Sequence, residues 1–391
     1  MVKLIIPILL IGLGLLSDIY LFHRYINTTS VWRWIWWLPM LVVIGFFIKF
    51  LFFNKGFAEE YTTTNIFLLV MVLICIPKML FALFSLIPKV GPYIGLAAAL
   101  GIIFIVLWGI TIGFCQLKVK EVVYTSPYIP KAFDGYRIAM FSDTHVGSFY
   151  GPYKSLLQKS MDTINNRKPD IICFVGDIEN FTPDELAEHK EAFSSLHAPD
   201  GVFSIMGNHD YSSYLKISER ERANMVARTR QYERDFGWTL LENDNRILRR
   251  GNDSIVIIGE ENWGKPPFPQ YGNLKKALGN LHVNAQTKRL AEGNSNLFTI
   301  MLSHDPTAWK SHILPVFRPD ITLSGHTHGT QFSLFGWSPS STIYDEWGGA
   351  YYNESNPLQK CLLYVSTGLG GNFPFRFAMP REVVIITLKL Q

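Results

Sequence analysis

Beyond residue 135, five apolar runs each stop at a short motif of Asp, His or Asn, and that pattern leaves few folds open. The runs are 136–141, 171–175, 202–206, 297–302 and 321–323. The motifs that close them are Ser142-Asp143-Thr144-His145, Gly176-Asp177, Gly207-Asn208-His209-Asp210, Ser303-His304-Asp305 and Gly325-His326-Thr327-His328-Gly329. Continuously apolar runs rich in branched and aromatic residues predict short strands buried on both faces. A side chain just past the end of such a strand is held by a rigid sheet and faces an open crevice, where α/β sheets place their sites.

Each motif alone says less than the set. Gly-Asp after a strand is ordinary turn chemistry, and Gly-Asn-His-Asp suits a turn as well. Gly-His-Thr-His-Gly is sharper, because flanking glycines let the backbone bend around an ion and two loop histidines otherwise have no task. Together the motifs offer the Asp, His and Asn donors that two divalent ions about 3.5–4 Å apart require, including a carboxylate to share between them. Such a pair of ions neutralises phosphoryl charge and lowers the pKa of a water, so no Ser or Cys nucleophile is needed. Cys173, inside an apolar strand, and Cys361, leading into another, read as small core residues.

On these motifs, residues from about 136 to 391 resemble the calcineurin-like metallophosphoesterase family, whose signature runs Asp-x-His, Gly-Asp, Gly-Asn-His-Asp, His, Gly-His-x-His. The resemblance implies that Asp143, His145 and His328 hold one metal, Asn208, His304 and His326 the other, and that Asp177 bridges them. It also implies that His209 is the general acid or transition-state stabiliser, with Asp210 orienting its ring, and that the metals are Mn, Fe or Zn. Leu302-Ser303-His304-Asp305-Pro306, the run 365–370 and Phe375-Arg376-Phe377 point to the membrane-associated branch. Asn180 and Thr330 depart from the common Asp and Gly of relatives, at positions outside the ligand pattern.

The first 117 residues read differently. Apolar stretches at 4–22, 34–53, 66–87 and 93–117 are each long enough, at about 1.5 Å per residue, to cross a hydrocarbon core of about 30 Å. They predict four transmembrane helices; the first is too long for a signal peptide and no small-residue cleavage site follows it. Trp32-Arg33-Trp34, Trp36-Trp37, Tyr61 and Tyr93 fit interfacial anchors. Lys49, near a helix end, is expected to snorkel, whereas Lys78 must pair, snorkel or line a wet cavity, Asp18 being the available partner. So few intramembrane polar groups suggest an anchor, or a wall for a lipid, rather than a pore.

Charge divides the same way. Lys and Arg outnumber Asp and Glu by 7 to 3 through Leu117, and the rest of the chain balances at 29 to 29, so the net +4 belongs to the membrane half. A neutral catalytic segment argues against nucleic-acid binding. The Arg-rich helix around Arg220, Arg222, Arg228, Arg230 and Arg234 is interleaved with acids and reads as a solvated, ion-paired face, the alternative being a surface that meets anionic headgroups. With both termini on one side, Lys3, Lys49, Lys55, Lys118 and Lys120 outweigh Arg24, Arg33 and Lys89, which favours a cytoplasmic catalytic domain.

The expected organisation is therefore a four-helix membrane anchor over 1–117, a linker and entry to the catalytic domain over 118–135, and an α/β domain over 136–391. The resemblance implies that this domain is a two-sheet sandwich flanked by helices. Further strands are expected at 238–241 and 254–258, and 382–388 should close one sheet. The expected activity is hydrolysis of a phosphodiester or pyrophosphate bond in a phosphate-containing, lipid-linked substrate at the bilayer. UDP-2,3-diacylglucosamine pyrophosphatases of the wider family are one concrete version. Two alternatives stand beside it: a tethered phosphatase for soluble nucleotides or proteins, and a non-catalytic membrane sensor, against which the complete donor set speaks.

Overall fold

The computed structural model describes residues 2–26, 31–52, 57–293, 295–353 and 360–391. The chain divides into two compact units, Met1–Thr111 and Ile112–Gln391.

In the first unit the helices are α1 (Val2–Tyr25), the short α2 (Trp32–Ile35), α3 (Leu38–Phe52), α4 (Phe57–Phe84) and α5 (Gly91–Trp108), the last continued by a π-type turn through Gly113. Among the described residues, four segments are long and apolar enough to span a membrane: Ile5–Tyr25, Arg33–Phe52, Thr63–Phe84 and Gly91–Gly113. The expected end of the second span, Phe53, and the orientation residue Lys55 lie outside the described residues. The fourth span stops short of the expected Leu117, so Cys115 is not a membrane residue but an exposed one beyond its end. Met40, Val43, Phe67, Met71 and Cys75 form the small core where α3 and α4 pack. Lys78 resolves its burial by pairing: its Nζ lies 2.7 Å from Asp18 Oδ1 and 5.0 Å from the Trp36 ring centroid. Trp36 Nε1–H in turn donates to the Asp18 carbonyl at 3.2 Å. Of the expected interfacial aromatics, Trp34 and Tyr93 are exposed and Tyr61 is buried.

Among the described residues the second unit carries fifteen strands: β1 (Leu117–Ser126), β2 (Arg137–Phe141), β3 (Ile171–Phe174), β4 (Val202–Ser204), β5 (Thr239–Leu240), β6 (Asp244–Arg250), β7 (Asp253–Gly259), β8 (His282–Val283), β9 (Leu290–Glu292), β10 (Ser295–Asn296), β11 (Phe298–Leu302), β12 (Ile321–Ser324), β13 (Gly349–Asn353), β14 (Cys361–Val365) and β15 (Arg381–Leu390). The helices are α6 (Lys154–Asn166), α7 (Lys190–Ser194), α8 (Glu219–Asp235) and α9 (Leu274–Leu278). Two mixed sheets of six strands, ordered β1-β15-β2-β3-β4-β5 and β13-β14-β12-β11-β7-β6, face each other, and β8–β10 form a small third sheet.

Alternation along the strands explains why they read as unbroken apolar runs. Ile138, Met140, Ile171, Cys173, Ile255, Ile257, Ile300 and Leu323 point between the sheets. Ala139, Phe141, Ile172 and Phe174 point outward, under Leu157, Met161 and Ile164 of α6. Val256, Ile258 and Met301 are covered by Leu274 and Leu278 of α9. Both faces of each central strand are thus buried, as parallel strands in a layered α/β domain require. Cys173 and Cys361 are core residues, and burial pushes the Cys361 thiol up to about 12.

Two assignments change. The expected linker forms β1, which pairs in parallel with β15 along its whole length. Its Lys118, Lys120 and Glu121 are the charges that an edge strand carries on its open side, which is why it resembles a polar connector. Consequently 382–388 does not close the sheet: β15 lies inside it, between β1 and the antiparallel β2. Buried Arg381 fastens this junction, its Nε–H donating to the Phe114 carbonyl at 2.8 Å and its Nη1–H to Ser160 Oγ at 2.9 Å. The arginines of α8 behave as a solvated face should, Arg228, Arg230 and Arg234 all meeting carboxylates.

A buried ion pair supports the second sheet. Arg289 Nη1 lies 2.7 Å from Asp320 Oδ1, just before β12, and Asp320 Oδ2 also accepts the Thr299 N–H at 2.9 Å. Removing one partner strands the other charge in the core, so Asp320→Ala is expected to cost about 3–5 kcal/mol, read as a lowered melting temperature of the full chain in detergent. Exposed Asp134→Ala, whose pair with Lys389 is solvated, should change it little.

Candidate metal centre

Every sequence-predicted donor lies in a turn just beyond a strand. Asp143 and His145 follow β2, Asp177 follows β3, Asn208 and His209 follow β4, His304 follows β11, and His326 and His328 follow β12. The backbone there is in the left-handed region at Asp143 (φ 48°), His145 (39°), Asp177 (60°), His326 (72°) and His328 (53°). For residues other than glycine that costs on the order of 1–3 kcal/mol each and persists only where surroundings enforce it. Here backbone hydrogen bonds between turns do so: Asp143 N–H to Gly176 O at 2.9 Å, His145 N–H to Asp177 O at 3.2 Å, and Gly325 N–H to His304 O at 2.9 Å. The glycines before the motifs permit this crowding. A Cβ on Gly207 would stand 2.2 Å from Asp177 Oδ1, and one on Gly325 would stand 2.3 Å from Asp143 Oδ2.

The side chains converge in two clusters that share one residue. Asp143, His145, Asp177 and His328 can hold a metal ion, as can Asp177, His304 and His326, with the donor atoms of each set within 4.8 Å of one another. Asp177 Oδ2 lies 3.5 Å from His145 Nε2 and 3.1 Å from His304 Nε2, while His145 Nε2 and His328 Nε2 are 3.1 Å apart. Asn208 joins the second cluster through its Oδ1, 2.7 Å from His326 Nδ1. His304 Nδ1 faces the Val175 carbonyl at 2.7 Å and His145 Nδ1 faces the Glu179 carbonyl at 3.1 Å. A carbonyl only accepts, so both rings carry their proton on Nδ1 and turn an Nε2 lone pair inward, the arrangement of a metal-ligating imidazole.

The charges are unbalanced without a cation. Burial acts to raise Asp177, yet His304, His209 and His145 hold it well below the usual carboxylate range. Burial would depress His304, but Asp177 and Asp143 push it up to about 10. His145 goes the other way, down to about 3, through burial and the neighbouring His209. Neighbouring imidazoles driven in opposite directions around buried carboxylates form a donor set that a divalent cation satisfies.

The expected pairing of His209 with Asp210 is not found. His209 Nδ1 donates instead to the Asn180 carbonyl at 2.7 Å, and its ring stands 4.6 Å from that of His145. The Asp210 carboxylate accepts the backbone N–H groups of Gly207 at 2.7 Å, Ile178 at 2.8 Å and Asp177 at 2.9 Å, which ties the Gly-Asp turn to the Gly-Asn-His-Asp turn. Its neighbour in sequence is not its partner, because the tight turn at His209–Tyr211 points the two side chains apart.

Other residues at the site carried no signal of this role. Tyr344 OH lies 3.1 Å from His326 Nε2, Tyr214 OH accepts from Asn208 Nδ2 at 2.7 Å, and Phe268 meets the His326 ring edge-on. Each sits in an irregular loop, where no period or spacing marks it. Arg376, buried, donates through Nη2 to the carbonyls of Thr367, Gly368 and Gly370 and so shapes the loop that packs on Asp143. Asp305 was visible in its motif, and its Oδ2 lies 3.6 Å from His326 Nε2.

Residues 136–330 match the model of the calcineurin-like phosphoesterase family. The chain is 30% identical to the uncharacterized metallophosphoesterase YkuE of Bacillus subtilis, over 70% of this chain and 86% of the relative. It is 28% identical to the UDP-2,3-diacylglucosamine pyrophosphatase LpxG of Chlamydia trachomatis, over 66% of this chain and 86% of the relative. A transmembrane protein with metallophosphoesterase domain of Danio rerio is 26% identical, over 70% of this chain and 57% of the relative.

Because the Asp210 carboxylate serves three buried backbone donors, Asp210→Ala is expected to destabilise the full chain by about 3 kcal/mol or more, at about 1–3 kcal/mol per unpaired donor. Thermal unfolding in detergent measures this. A melting temperature equal to that of the parent would mean that the two turns hold without it.

Proposed function

Since the chain belongs to the calcineurin-like phosphoesterase family and is a hydrolase of phosphate esters, we propose that it cleaves a phosphodiester or pyrophosphate bond at a centre of two divalent cations, in a lipid-linked substrate presented by the bilayer. The observation that carries this reading is the sharing of Asp177 by two buried donor clusters. Asp143, His145 and His328 would hold one cation, Asn208, His304 and His326 the other, and Asp177 both. Bound there, the cations supply charge neutralisation for a phosphoryl group and an activated water at neutral pH.

The protein's own groups do the rest. Asp177 Oδ1 accepts the His209 N–H at 2.8 Å, which keeps the His209 turn against the shared carboxylate. With its Nδ1–H committed to the Asn180 carbonyl, His209 exchanges protons through Nε2 and, when protonated, can deliver one to the leaving oxygen. The buried strand ends fix these groups on a rigid frame, so little reorganisation is needed as charge develops.

Lipid linkage is supported by the four apolar spans and by similarity to a relative whose name describes a diacylglucosamine pyrophosphatase. A catalytic unit on the cytoplasmic side accords with the five lysines on the side of the termini, Lys3, Lys49, Lys55, Lys118 and Lys120, against Arg24, Arg33 and Lys89 on the other. Manganese is a reasonable first ion for assay, since carboxylate, amide and imidazole donors suit it.

Two measurements test the proposal. Asp177→Asn is expected to reduce bound metal and abolish turnover together, whereas His209→Asn should keep its metal and lose about 10²–10⁴-fold in rate. Full activity in purified Asp177→Asn would remove the shared-carboxylate assignment. With Mn²⁺, bis(p-nitrophenyl) phosphate should be hydrolysed faster than p-nitrophenyl phosphate; a preference for the monoester would favour a tethered phosphatase instead.

A further inference from the structure

Within the loop that follows the Gly-His-Thr-His motif, Leu334, Phe335, Trp337 and Ile343 are all exposed large apolar side chains, and Phe335 has no cover at all. Single exposed apolar residues are ordinary, but this grouping on one loop calls for a partner. The loop is built rather than slack. Leu334 N–H donates to Trp337 O at 2.9 Å and Trp337 N–H to Leu334 O at 3.0 Å, closing a two-residue turn. Phe335 (φ 50°) and Gly336 (φ 84°) supply the two left-handed residues that such a turn demands. An aromatic residue in that conformation is strained, and it stands at the tip.

The base of the loop belongs to the metal centre. Ser338 Oγ–H donates to the Gly329 carbonyl at 2.7 Å, Ser333 N–H to the Phe377 carbonyl at 2.9 Å, and Tyr344 OH reaches His326. The tip therefore projects from the rim of the site.

The register of the first sheet says which end of β1 lies at that rim. The fourth apolar span ends at Gly113 and β1 begins at Leu117, a gap of three residues whose four residue-to-residue steps reach at most about 14 Å. Leu117 pairs with Arg381. Val384 pairs antiparallel with Met140, so Arg381 falls level with residue 143. With strands about 4.8 Å apart, Asp143 lies about 10 Å across the sheet from Leu117. The start of β1, which follows the fourth apolar span in the chain, thus enters the sheet at the end that carries the donors. Beside the start of β1 is a groove of about 800 Å³ lined by Lys118, Lys159, Arg167 and Arg381 among others; Arg167 is paired with Glu121 and Arg381 with backbone carbonyls, so its exposed charge comes from Lys118 and Lys159. That charge complements anionic headgroups, and Trp and Phe at a loop tip suit the layer beneath them.

We infer that the 332–343 loop is a finger that inserts Leu334, Phe335, Trp337 and Ile343 into the interfacial layer of a lipid bilayer, so that the site opens at a lipid surface. This concerns where the site opens and does not depend on the substrate being a lipid. If the lipid-substrate reading alone fails, no lipid is hydrolysed but the finger stays embedded.

The test uses the full chain carrying Cys115→Ser, in liposomes of phosphatidylcholine and phosphatidylglycerol. A nitroxide is attached at Phe335→Cys and, separately, at Ile343→Cys, with Lys389→Cys at the far end of β15 as the solvent reference. Spin relaxation by oxygen relative to a water-soluble nickel chelate should be several-fold higher at 335 and 343 than at 389. Retained hydrolysis of bis(p-nitrophenyl) phosphate identifies folded protein, and if one labelled position disturbs folding the other decides. Nickel access equal to that at 389 overturns the inference. Shielding from both reagents overturns it too, since a protein partner such as a second copy would then cover the loop.

Discussion

The Asp177 carboxylate is the point on which the catalytic unit closes. One oxygen faces His145 from the first sheet and His304 from the second, and the other takes the His209 N–H. A buried carboxylate between imidazoles is tolerable only where every neighbour is fixed, because an unpaired charge in a dry site is costly. The surrounding design meets that demand through glycines that let backbones crowd, left-handed turns that aim the donors, and Asp210, which ties two of the turns together. The metal centre and the sandwich core are therefore consequences of the same strand ends.

Much of this was legible in the chain because its chemistry is local. Five apolar runs closed by donors became β2, β3, β4, β11 and β12, with the donors just past their ends. Four apolar stretches became helices long enough to span a membrane, and Lys78 found Asp18. What escaped was set by tertiary placement. An edge strand with alternating charges looks like a linker until β15 is seen beside it. Whether 382–388 lies inside or outside a sheet depends on that same strand. The Asp210 carboxylate serves backbone donors from a segment more than thirty residues away, which spacing alone cannot disclose. Tyr344 and Tyr214 come from irregular loops, where position follows from packing and not from any repeat.

The two halves of the chain share a logic. Apolar spans confine a hydrolase to a surface, which raises its effective concentration towards anything held in that surface. The clamp of buried Arg381 on the Phe114 and Cys115 carbonyls fixes the residues just before β1 against the start of β15.

The central claim, a pair of cations sharing Asp177, is tested most directly by low-temperature electron paramagnetic resonance of the purified full chain loaded with Mn²⁺. Ions about 3.5–4 Å apart across one carboxylate are exchange-coupled. The account expects two Mn²⁺ per chain and the spectrum of a coupled pair. A single bound ion with the spectrum of isolated Mn²⁺ would contradict it.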